Sequence, residues 1–133
     1  MSRVCYPVWM DDQKRQFLFQ QLKTLLQEYG DVLEIDSSPG KYSLSSTKEI
    51  EVDGETHEGY YFAGLRELKN IVGFYFMPIH VCPELRDQVP ESLRSILKGN
   101  TCFNIKSLGP ETERDLNKLM ALGIETYKGY GFI

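Results

Sequence analysis

Two histidines, three cysteines and a scatter of carboxylates are the residues of this chain whose types could do chemistry. His80 and Cys82 stand two apart. On a strand they would face the same side and could meet one metal ion. His80 with Cys82 or Cys102 could also supply a base and a thiol nucleophile. The competing interpretation is a packed histidine beside a buried thiol. His57 belongs to a polar hairpin and is expected to be exposed. Cys5, Cys82 and Cys102 form no CxxC pair, and an odd number cannot pair fully within one chain, so reduced thiols are expected. The Gly-x-Ser-x-Gly elbow and the glycine-rich phosphate loops are absent from the sequence.

Two sets of charged residues have more to offer. Asp11, Asp12, Glu28, Asp31, Glu34 and Asp36 gather around one helix and its exit. Such a ridge can hold a hard cation, although helix starts favour aspartate anyway. Arg66, Lys69 and Lys106 lie at turns or strand ends beside aromatic residues. Tyrosine hydroxyls among cations suit a small anion or a planar ligand. The candidate ligand site rests on Tyr75, Asn104 and Lys106, joined by Tyr60 or Tyr61 according to strand register. No catalytic residue is assigned.

These residues must be positioned by a domain of 133 residues. A chain of this length buries roughly 68% of its unfolded surface, enough for one core without staples. Its net charge of −4 argues against non-specific nucleic-acid binding. No segment reads as a membrane helix or signal peptide, so a cytoplasmic address is expected.

Residues 1–11, with Trp9 and Pro7, are read as an extended arm. Asp11 or Asp12 then caps a helix over 12–29, with Leu18, Leu22, Leu25, Leu26 and Tyr29 on one stripe and Gly30 as its left-handed cap. Asp36 to Gly40 reads as a turn, and Asp53-Gly54 as a hairpin turn. The apolar runs of residues 58–68 and 71–81 are predicted to pair through Lys69-Asn70 at the centre of a sheet, with both faces covered. Gly64 and Gly73 would open a depression there or let a helix approach. Pro83 and Pro90 each open a short helix, the second closed by Gly99. Residues 101–105 return as a strand. A last helix begins near Gly109-Pro110, and the tail 128–133 is left unassigned. The outcome is one α+β domain: a mainly antiparallel sheet of five to six strands flanked by N- and C-terminal helices.

Two segments resemble the YdhG-like family, a bacterial domain family of unknown function. One is Tyr61-Phe62-Ala63-Gly64-Leu65 with Lys69-Asn70 and Phe74-Tyr75-Phe76-Met77-Pro78. The other is Lys98-Gly99-Asn100-Thr101-Cys102-Phe103-Asn104-Ile105-Lys106, in which Asn100 stands where the family has lysine. The resemblance spans about residues 12–131 and implies an α+β fold without an established reaction. One member is similar in fold to frataxin, which binds iron through acidic residues. The functional expectation is a non-enzymatic binding module for a small ligand or a protein partner, with no cofactor. The alternatives are iron binding at Asp11, Asp12 and Asp31, or an enzyme of unidentified class. Oligomeric state stays open.

Overall fold

The computed structural model describes residues 8–133, with side chains from Gln13 onward. Helix α1, Val8–Gln27, lays Leu18, Leu22, Leu25 and Leu26 into the core as their spacing requires. It starts before the expected residue 12, so Asp11 and Asp12 lie within the helix and do not cap it. Residues 8–11 of the expected extended arm are helical, and residues 1–7 lie outside the described part. After Gln27 the chain leaves through two tight turns, Tyr29 N–H to Leu26 O and Gly30 N–H to Gln27 O, both 3.1 Å. Gly30 is not a left-handed cap. Its missing side chain makes room for Ile35, whose Cδ1 would lie 2.7 Å from a Cβ placed there.

Among the described residues the main sheet has six strands, all antiparallel, in the order β1-β2-β5-β6-β8-β7. They are β1 Glu34–Ser38, β2 Lys41–Ser45, β5 Tyr61–Glu67, β6 Val72–Phe76, β7 Leu97–Lys98 and β8 Cys102–Ile105. Strand β1 runs through most of the segment expected to turn, and only Pro39-Gly40 reverses the chain, with Gly40 at φ 73°. A separate hairpin, β3 Glu49–Val52 and β4 Glu55–Glu58, turns at Asp53 and Gly54. Both residues have positive φ, 54° and 82°, as a turn matched to strand twist demands.

Strands β5 and β6 pair at the centre as predicted, and Asn70 takes φ 63° in the turn between them. Both are shorter than 58–68 and 71–81. Pro78, which has no N–H for a ladder, instead opens helix α2, Pro78–Val81. A 3₁₀ turn at Pro83–Gln88 and helix α3, Glu91–Arg94, follow. Gly99 closes no helix. Leu97 and Lys98 have already joined the sheet, and Gly99, at φ 66°, lies in the turn from β7 to β8. Helix α4, Pro110–Tyr130, takes up part of the unassigned tail. It ends at Gly131, φ 77°, with Phe132 N–H returning 2.8 Å to Tyr127 O.

Both long helices cover one face of the sheet. Tyr42, Leu44, Leu65, Phe74, Phe76, Phe103 and Ile105 point from it into the core, against Leu22 and Leu26 of α1 and Leu116, Leu119 and Met120 of α4. Gly123 permits the close approach of α4: a Cβ there would lie 2.5 Å from the Phe76 ring and 2.9 Å from Phe62. Among the described residues no helix covers the opposite face. The expectation that both faces of β5 and β6 are covered therefore fails for one of them. What fills that face is a pair of tyrosines.

Candidate functional site

The open face is set by an irregularity in β5. Leu44 pairs with Ala63, but the next residue of β2, Ser45, pairs with Tyr61. Phe62 is thus one residue more than β2 can match, a β-bulge. The bulge sends both Phe62 and Ala63 into the core and turns Tyr61 to the open side. Strict alternation would have grouped Tyr61 with Ala63 and Leu65 on the helix side.

Tyr61 lies over Gly64, where a Cβ would be 2.1 Å from the Tyr61 hydroxyl. Tyr75 lies over Gly73 in the same way, its ring 3.3 Å from a Cβ built there. The two glycines neither admit a helix nor leave a bare hollow: they let two tyrosine rings lie against the backbone. Tyr75 is paired across the ladder with Gly64 on one side and Cys102 on the other, so Tyr61, Tyr75 and Cys102 converge. Asn104 follows on the same face, its Oδ1 3.6 Å from Cys102 Sγ.

Around the tyrosines is a cleft of about 380 Å³, lined by Tyr61, Tyr75, Met77, Thr101, Ser43 and the cations Lys41 and Arg66. Lys41 and Arg66 are directly opposite one another in the β2–β5 ladder. Like charges in that position repel. Among the described residues neither has a carboxylate within ion-pair distance, although Asp36 stands on the same rim. Burial pushes the Tyr61 hydroxyl up to about 12, with Tyr75 and Cys102 adding to the effect. Burial also raises Tyr75, against the opposing pull of Arg66. Cys102 is raised by burial more than its hydrogen bond with Tyr75 lowers it. At neutral pH the cleft therefore presents two neutral hydroxyls beside Lys41 and Arg66, with the protonated Cys102 thiol next to Tyr75 on the same face.

The other residues singled out from sequence lie elsewhere. Tyr60 belongs to an aromatic cluster, 5.5 Å from Phe132 and 6.3 Å from Tyr127 between ring centroids. His57, expected to be exposed, is half-buried with its ring edge on Tyr60 at 5.7 Å. Lys106 lines a separate basic depression with Lys14, Arg15, Leu18 and Asn70. The structure thus brings Tyr61, Tyr75 and Asn104 to one face and separates Tyr60 and Lys106 from the cleft. Arg66 belongs to the cationic set that the sequence offers, whereas Lys41 does not. The strand pairing that sets them opposite each other is not a local sequence signal.

His80 and Cys82 do not sit two apart on a strand, because α2 occupies that segment. His80 is exposed, and the Cys82 thiol lies 3.1 Å from Glu84 Oε2. Asp31 is exposed in the turn after α1, while the side chains of Asp11 and Asp12 lie outside the described part. Among the described residues no three His, Cys, Asp or Glu side chains gather as metal ligands. Cys82 and Cys102 are free thiols, and Cys5 is outside the described part. Among the described residues no helix is long and apolar enough to cross a membrane.

Fold and site together define a two-layer α+β domain with an open, tyrosine-lined sheet face. Comparison with known protein families, with curated proteins and with solved structures finds no match.

Proposed function

We propose that this chain is a cytoplasmic binding module that holds a small organic anion with a planar body on the open face of its sheet. The observation that carries this is the Lys41–Arg66 pair at the rim of a tyrosine-walled cleft. Two unneutralised cations side by side are relieved by an anion, and a guanidinium fork matches a carboxylate or phosphate. Tyr61, Tyr75 and Met77 offer apolar surface for the ligand's body, and the neutral hydroxyls can donate to its polar edge. A thiol raised by burial is a weak nucleophile at neutral pH, so Cys102 supports binding over covalent catalysis. We further propose membership in the YdhG-like family, because its stretches Tyr61–Leu65, Phe74–Pro78 and Lys98–Lys106 are the ones that supply the cleft's tyrosines, methionine and threonine.

The test is calorimetry with benzoate, salicylate, short aliphatic carboxylates and inorganic phosphate. The planar carboxylates should bind best, and Arg66→Gln should weaken them by about tenfold or more, the worth of one charge-assisted contact. Lys106→Met should leave binding unchanged. Equal binding by wild type and Arg66→Gln, or loss in Lys106→Met alone, would remove the cleft from consideration.

A further inference from the structure

Strand β1 is the first strand of the sheet, so among the described residues its outer edge has no partner. All five of its residues are exposed, and its register with β2 is regular from Glu34 to Ser38. An edge of this kind presents a row of free N–H and C=O groups. The usual guards are weak here: β1 has no proline, lysine or bulge. Its alternation is sharply divided. Ile35 and Ser37 share the face of their partners Leu44 and Tyr42, towards α1, while Glu34 and Asp36 share the open face of Ser45 and Ser43.

Beside the edge, on the helix side, runs an open groove of about 740 Å³. It lies between Gln16, Phe17 and Gln20 of α1 and Ser37 to Pro39. Phe17 is 67% exposed and Ile35 43%, two of the four large apolar side chains that the described residues leave in water. An added strand would leave every second side chain in that groove and the others next to Glu34 and Asp36.

We infer that β1 is a docking edge for an extended peptide that adds as a seventh strand, apolar at one parity and basic at the other. Main-chain hydrogen bonds supply affinity, and the alternate side chains supply selection. Charge chooses between this occupant and a second copy of the chain. Full antiparallel overlap of two β1 strands sets Asp36 against Asp36 of the copy and gives no cation to either, which opposes self-pairing. A basic strand meets both carboxylates. This edge shares Asp36 with the rim of the anion cleft but uses neither Arg66 nor the tyrosines.

The experiment uses the whole chain and a fluorescein-labelled peptide of alternating lysine and valine, read by anisotropy and by backbone NMR. The peptide should bind saturably and slow amide exchange in 34–38. Asp36→Lys should weaken it by about tenfold and favour a glutamate–valine peptide instead. Phe17→Ala, at an exposed position, should weaken both peptides and leave the fold intact. Binding that is indifferent to both substitutions, or amide protection confined to another surface, overturns the inference. So does sedimentation showing a dimer with 34–38 already protected, which would assign the edge to a second copy.

Discussion

Tyr127 shows how much one buried hydroxyl can hold in place. It is wholly buried in α4, and its hydroxyl donates to the Tyr61 carbonyl at the bulge. The bond ties the second layer to the irregular point of the sheet. Tyr127→Phe leaves that carbonyl without this donor and should cost about 1–3 kcal/mol in urea unfolding. A loss under 0.3 kcal/mol, roughly the scatter of such measurements, would mean that the carbonyl has another partner. Asp115 does a similar task between α3 and α4. Ser92 Oγ donates to it at 2.6 Å, and this bond first, then Arg114, holds its carboxyl below the usual carboxylate range. A depressed folded value stabilises the protein above the unfolded value near pH 4, and the contribution is lost as pH falls through the folded value. Ser92→Ala should therefore move acid unfolding to higher pH, and an unmoved midpoint would deny the bond that role. Neither pairing was visible in sequence, because Ser92 and Asp115 are adjacent only once α3 and α4 pack.

At the scale of elements, β5 and β6 should exchange their amides among the slowest in the chain. Each is flanked by strands on both sides, and their core-facing side chains are wholly buried or nearly so. Fast exchange throughout Phe74–Phe76 would contradict the strand order. Gly123→Ala should destabilise by about 1–3 kcal/mol, since its Cβ meets two aromatic rings that have little room to yield. The layout of helices around an antiparallel sheet was legible because the leucine stripe of α1, the Asp53-Gly54 turn and the Lys69-Asn70 turn are local signals. The shorter elements were not. Pro78 and Gly99 each fit two outcomes, and neighbours far along the chain decide between them. The site was half legible for the same reason: composition pointed to Tyr61, Tyr75 and Asn104, whereas the Lys41–Arg66 opposition exists only through the β2–β5 register.

For the whole molecule, the net charge of −4 and the cationic rim of the cleft oppose each other. Long-range repulsion of an anion by the acidic body is screened by salt, and so is its attraction to two exposed cations. The cations are nearer, so raising ionic strength from about 0.05 to about 0.5 M should weaken anion binding several-fold. Affinity that rises with salt would mean that apolar contact dominates. Cys82 and Cys102 are unpaired, so thermal stability should be the same with and without reductant. A lower melting temperature in reductant would reveal a bridge on which the fold depends.

The bulge at Phe62 also bears on how this chain can change length. In a regular strand such as β6, deleting one residue exchanges inside for outside along everything beyond it. In β5 the extra residue already absorbs that exchange. Deleting Phe62 would leave Ala63 facing inward and Tyr61 facing outward, joined by ordinary pairing. The loss would fall on the interior, where Phe62 meets Phe76 and Tyr127 at ring distances of 5.7 and 5.1 Å. Within the sheet, β5 at Phe62 is a place where one codon can be lost and the outer surface stay the same.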